Sequence, residues 1–270
     1  MNKEIFIGTI GLIASVAALF VFSAKTSRVD LGAKYEQSKD FAAHFPNSAL
    51  LWGEVDAGML AKLGGLSGDI DSLVLHSHGG ASPRGLEAAK LISSKGYSVD
   101  VPSLCTSTCA EFFLPAATSI TFSNLPLIGY DGTALSETYA AAESLGNDKK
   151  YCHAAHALEV ETFYHEAGVP LKFWRKIQQK LDVQDVDLTR LEKTDCVMPS
   201  IKTKHDMWFP TSAQLSKIFG LTFKGEVCAD SPDCYEAKLS DLYGETTGAG
   251  ASSSASVVVG NKVFYPRRAN

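Results

Sequence analysis

Apolar and polar positions alternate in short units along this chain. Asp71 to Ser77 encloses the unbroken apolar run Leu73-Val74-Leu75, the pattern of a buried strand. Ala49 to Val55 and Tyr97 to Pro102 read as two further strands, Ser119 to Ser123 and Leu125 to Tyr130 as shorter ones. Met59 to Leu66 reads as a short helix. From Pro83 to Ser94, Leu86, Ala89 and Ile92 fall on one helical face, and Gly96 is placed to stop that helix. Strands alternating with helices predict an α/β fold, a mostly parallel sheet with crossover helices.

After Leu135 the pattern turns helical: Ser136 to Leu145, Cys152 to Ala167, and Leu171 to Leu181 with Phe173, Trp174, Ile177 and Leu181 on its apolar side. Thr211 to Phe219 is the last clear helix, with Thr211 as its cap and Gly220 as its stop. Cys228 to Leu242 reads as loop with some helix, Thr246 to Ser256 as a low-complexity linker, and Ser256 to Tyr265 as a hairpin around Gly260-Asn261.

Ile5 to Ala24 is different in kind: 20 residues without a charge. As a helix it would be about 30 Å long, enough to cross a hydrocarbon core. A membrane anchor, a cleaved signal segment and a buried core helix all fit it. The other 250 or so residues suffice for one domain or two small ones. Over the whole 270, hydrophobic residues make up 45% and charged residues 20%, which supports a real core. The net charge is -5 and there is no long basic tract, which argues against a nucleic-acid partner.

All six cysteines, Cys105, Cys109, Cys152, Cys196, Cys228 and Cys234, lie beyond the apolar segment. An even set there fits disulfides in an oxidising compartment, hence an extracytoplasmic or periplasmic domain, secreted if the segment is cleaved. Cys105 with Cys109 would staple one turn and Cys228 with Cys234 a small loop; Cys152 with Cys196 would span further. Free thiols in a cytosolic protein are the competing reading. The spacings are poor for zinc, so no metal is expected, nor any other cofactor.

The chemistry gathers at Val101 to Ala117, VPSLCTSTCAEFFLPAA, where an apolar strand meets an apolar helix. Ser107 sits at that turn between two cysteines. A serine there can face a cleft, with the free N–H groups and partial positive charge of a helix N-terminus behind it. It can equally act as a helix cap. Gly79-Gly80 ends the preceding strand, at the edge where open α/β sheets place their sites. A Gly80 N–H and the Thr108 N–H can then form an oxyanion hole.

Several of these pieces, in this order, resemble one superfamily. Leu75-His76-Ser77-His78-Gly79-Gly80 looks like its Ser-Pro-Gly-Gly strand end, and Cys105-Thr106-Ser107-Thr108-Cys109-Ala110 like its nucleophile turn. Ile128-Gly129-Tyr130-Asp131 resembles the strand end that carries its histidine, Leu51 to Glu54 its first strand, and Ser82 to Lys95 its next helix. This is the Clp-protease/crotonase-like superfamily, in particular the membrane-anchored or periplasmic Clp-like branch with a Cys-x-Ser-x-Cys turn. Glu161 to Val169 and Thr211 to Leu221 resemble later helices of that branch. The likeness covers about residues 49–222. It divides the chain into an anchor or signal segment (1–24), a linker (25–48), the Clp/crotonase-like domain (49–222) and a cysteine-containing extension with a Gly/Ser/Ala-rich linker (223–270).

The resemblance implies a serine peptidase-like hydrolase: Ser107 as nucleophile, Gly79, Gly80 and Thr108 as oxyanion donors, a peptide or protein substrate, and homo-oligomers. The membrane would be met through residues 5–24. The chain departs from the pattern where it matters most, because Asp131 stands in place of the histidine. A carboxylate is a weak base near neutral pH. His78 or His76, paired with Asp131, can serve as the base; Lys149 or Lys150 can act in a Ser-Lys dyad. Without such a rescue the domain is a non-catalytic, membrane-anchored peptide- or protein-binding module of the same fold.

Overall fold

The computed structural model describes residue 41 and residues 44–132, 152–170, 172–187, 200–245 and 256–265. Strand β1 (Ser48–Val55) leads through helix α1 (Ala57–Gly64) to β2 (Ser72–Gly80). Helix α2 (Ser82–Lys95) then crosses back to β3 (Ser98–Thr106). Asp56 caps α1 by accepting the Met59 N–H, and Gly96 ends α2 in the left-handed conformation that its position in the sequence predicts. β1, β2 and β3 pair in parallel in that order. The first half of β3 continues onto β4 (Ile120–Phe122) and its second half onto β5 (Leu127–Gly129). The expected mostly parallel α/β sheet is therefore present.

Parallel pairing brings the strand ends Val55, Gly80, Thr106 and Gly129 to one edge of the sheet. One face of the sheet carries the main core. Leu73, Leu75, Val99 and Val101 meet Met59 and Leu63 of α1 and Leu86, Ala89 and Ile92 of α2, all buried. Each such large apolar side chain contributes about 1.5–3 kcal/mol. Phe41, Leu50 and Val74 form a small cluster on the other face.

The later chain adds helices α3 (Cys152–Glu166), α4 (Phe173–Leu181) and α5 (Ser212–Phe219). Thr211 and Gln214 make a reciprocal capping box at α5, and Gly220 closes it. Four short strands escape the sequence pattern. β6 (Val183–Asp187) and β7 (Ser200–Thr203) form an antiparallel pair, β8 (Met207–Phe209) follows, and β9 (Phe223–Gly225) extends the main sheet beside β4.

The described residues beyond 222, 223–245 and 256–265, pack against the rest of the described chain. After β9 comes a short 3-10 turn (Cys228–Asp230) and helix α6 (Pro232–Glu245), so the stretch read as loop with some helix is mostly helix. The predicted hairpin is β10 (Val257–Val259) and β11 (Lys262–Phe264). β10 pairs in parallel with β8. Leu104, Leu127, Phe209, Leu239 and Val257 close a second core beneath α6. No helix among the described residues is long and apolar enough to cross a membrane. The segment 5–24, the helix read at Ser136 to Leu145, and Lys149, Lys150 and Cys196 lie outside the described residues.

Candidate active site

β3 ends at Thr106, and Ser107 turns the chain with φ +54°. That is left-handed backbone, which costs a residue with a Cβ about 1–2 kcal/mol. The surroundings hold it. The Ser107 N–H donates to the Gly129 carbonyl at 2.8 Å, and the Ser107 carbonyl accepts from the Glu111 N–H at 2.9 Å. Cys105 and Cys109 are joined by a disulfide across the turn, and both are fully buried. This is the staple expected from their spacing; Cys228 and Cys234 form the second expected bridge. Cys152 is the first residue of α3.

The chain continues as a π-helix, Cys109–Phe113, and one helical turn, Leu114–Ala116. Pro115 has no N–H to return to the carbonyl four residues back, which favours the wider turn here. By Ala117 the backbone is extended again. Thr108 locks the turn sideways: its hydroxyl donates to the Gly80 carbonyl at 2.6 Å.

The glycine strand touches the serine turn directly. A Cβ on Gly79, whose φ is +95°, would fall 2.5 Å from Ser107 Cβ, 2.8 Å from the Thr106 oxygen and 2.9 Å from the Thr108 nitrogen. A Cβ on Gly80 would fall 2.5 Å from the Val55 oxygen. Glycine is required at both for the strands to come this close. The two glycines are themselves the last residues of β2 rather than a loop beyond it. The Gly79 N–H, one of the three oxyanion donors that the resemblance implies, donates to Ser77 Oγ at 3.1 Å.

Asp131 lies two residues beyond β5 and faces this turn. Its carboxyl group lies close enough to the Ser107 side chain for that hydroxyl to lower its pKa. As a residue Asp131 is exposed, yet its carboxyl group is surrounded closely enough for burial to raise its pKa above the usual aspartate range. The Ser107 hydroxyl and a backbone hydrogen bond pull the other way. Tyr130 fixes the approach. It is fully buried, exchanges two backbone hydrogen bonds with Trp208, and stacks on Phe219 at 4.6 Å.

The two histidines proposed as bases have these neighbours. His76 Nδ1 lies 2.5 Å from Ser103 Oγ, and its ring stacks on Trp52 at 3.9 Å. His78 is exposed and meets His76 edge-on at 6.0 Å. Strand alternation explains this, because His76 and His78 face away from buried Leu75 and Ser77.

Glu111, just beyond the turn, is a buried charge that sequence reasoning missed. It is buried on the π-helix, and its carboxylate accepts the Tyr164 hydroxyl at 2.8 Å. Burial first, and then the Glu111 charge, push the phenols of Tyr164 and Tyr130 above their usual range. Tyr164 stands 53 positions away, so spacing gives no hint of the pair. At the neck of α2, Ser82 Oγ lies 3.1 Å from His156 Nε2. Among the described residues no group of three His, Cys, Asp or Glu could hold a metal ion.

No family model and no curated protein matches the sequence. Among solved structures the chain is similar to a ClpP1 point mutant from Listeria monocytogenes. The identity is 13%, the coverage 66% of this chain and 92% of that chain, and the TM-score 0.37.

Proposed function

We propose that the Ser107 turn is the reactive centre of a serine peptidase-like hydrolase of Clp-like fold, acting on a peptide or protein. One observation carries this reading: Ser107 is held in left-handed backbone on a stapled turn, with the Asp131 carboxyl group close to its side chain. Strain of this kind persists only where the surroundings enforce it, and such positions cluster at functional sites.

Asp131 takes the place of the imidazole. The Ser107 hydroxyl gives its proton to the Asp131 carboxylate as Oγ attacks the substrate carbonyl carbon. The Thr108 N–H faces the oxygen that becomes negative, the C–N bond breaks as the leaving amine collects the proton from Asp131, and water then hydrolyses the acyl-serine. A raised carboxyl pKa improves the match between base and nucleophile, although the gap stays wide and turnover is slow.

The second reading is a binding module. It is favoured by Asp131 standing where the resemblance places a histidine, since a carboxylate is a weak base near neutral pH. The domain is assigned to an extracytoplasmic, periplasmic space, anchored through residues 5–24 or secreted after cleavage. Two disulfides support an oxidising compartment. A second copy of the chain is a further expected partner.

A fluorophosphonate probe separates the two readings. In the hydrolase, peptide mapping finds the label on Ser107 of wild type, Ser107→Ala loses the label at that position, and Asp131→Asn is labelled there much more slowly. Folded wild-type protein that stays unlabelled at Ser107, while Asp131→His becomes labelled there, establishes the binding module instead.

A further inference from the structure

His76, read from the sequence as an alternative base, lies against Ser103. Ser103 and His76 come together because β2 and β3 change register between them. Val74 pairs with Asp100, but His76 pairs with Leu104, so β3 carries two more residues than β2 across this interval. Pro102 lies in the bulge, where its missing N–H breaks no ladder bond. A bulge of this kind re-aims side chains. Here it turns Ser103 onto His76, with Oγ 2.5 Å from Nδ1.

The imidazole is fixed from its other side. Its ring lies on Trp52, centroids 3.9 Å apart and planes within 12°. Trp52 is the direct partner of His76 in the β1–β2 register. Ser103 and His76 are both only part-buried, so a small reagent can reach them. A serine hydroxyl within hydrogen-bond distance of an oriented imidazole is the arrangement that activates a nucleophile.

We propose that Ser103 and His76 form a second nucleophilic pair, reactive toward small activated acyl esters and independent of Ser107. In the tautomer that carries its proton on Nε2, His76 accepts the Ser103 proton at Nδ1. The Ser103 oxygen forms a bond to the acyl carbon. The ester C–O bond breaks, and its electron pair leaves with the alcohol, which takes the proton or, if strongly acidic, releases it to solvent. Water then hydrolyses the acyl-serine.

The test uses p-nitrophenyl acetate at pH 8 on the full chain carrying Ser107→Ala, so the outcome does not depend on Ser107. The reaction is read by intact mass and peptide mapping. One acetyl group on Ser103 is expected, lost in Ser107→Ala/Ser103→Ala. In Ser107→Ala/His76→Gln acetylation of Ser103 should slow about 100-fold or more, the scale of general-base assistance. Circular dichroism shows whether each variant is folded. If a variant is misfolded, the rate of Ser103 acetylation in Ser107→Ala between pH 5 and 8 decides, since it must rise as imidazole loses its proton. No acetyl on Ser103, an unchanged rate in folded His76→Gln, or a flat pH profile overturns the proposal.

Discussion

Replacing Gly79 with alanine tests the contact on which the serine turn depends. Two costs arise together. The backbone at Gly79 has φ +95°, where a side chain costs about 1–2 kcal/mol. The added Cβ would also lie 2.5 Å from Ser107 Cβ and under 3 Å from two backbone atoms of the same turn. Relieving such overpacking costs about 1–3 kcal/mol more. Gly79→Ala should therefore lose about 2–5 kcal/mol, a large share of the 5–15 kcal/mol that holds a typical domain. Gly53 supplies the control. Its φ is +100°, but nothing lies within 4 Å of a Cβ placed there, so Gly53→Ala bears only the backbone cost. Any gain from a stiffer unfolded chain is common to both variants and cancels. Urea unfolding of the two against wild type measures the difference. If Gly79→Ala loses no more than Gly53→Ala, the close approach of β2 to the Ser107 turn is wrong.

Ser107→Gly should be about 1–2 kcal/mol more stable than Ser107→Ala, since only glycine removes the cost of φ +54°; parallel urea titrations read this directly. Tyr164→Phe should cost about 1.5–3 kcal/mol by taking away the hydroxyl that serves the buried Glu111 carboxylate, measured in the same way. For Asp131 the sign follows from a raised pKa: the folded chain holds this proton more tightly than the unfolded chain, so the contribution to stability is fullest below the ordinary aspartate range and falls as pH rises through the raised value. Asp131→Asn does not lose it, so thermal melts should place that variant higher relative to wild type at pH 7 than at pH 3. An advantage at pH 3 that vanishes at pH 7 contradicts this.

The elements that repeated a strong local signal were legible from the sequence. Leu73-Val74-Leu75 is too apolar to be anything but buried, and Gly96, Thr211 and Gly220 mark helix ends through chemistry that acts over a few residues. The Cys105–Cys109 staple was readable for the same reason. The three-residue strands β8 and β9 were not, because so short a run has no period to detect and is fixed by its neighbours in space. At the site, Ser107 and Asp131 were named from the chain, but their pairing depends on β5 lying beside β3. The capture of His76 by Ser103 depends on a bulge, and the engagement of the Gly79 N–H on a rotamer of Ser77. None of these leaves a trace in spacing.

The Tyr130–Trp208 bridge has a consequence for the order in which the chain becomes competent. Residues 48–129 can pair soon after synthesis, since each strand of β1 to β5 finds its neighbour nearby in sequence. Tyr130 cannot be secured until Trp208 has been made, and β8 then gains its own neighbour only with Val257–Val259. At about 5–20 residues per second, that last strand follows Asp131 by on the order of ten seconds. Throughout that interval the serine turn exists without the clasp that aims its acidic partner. A nascent or C-terminally clipped chain therefore carries Ser107 while lacking a settled site. That region settles late, when the far end of the polypeptide arrives.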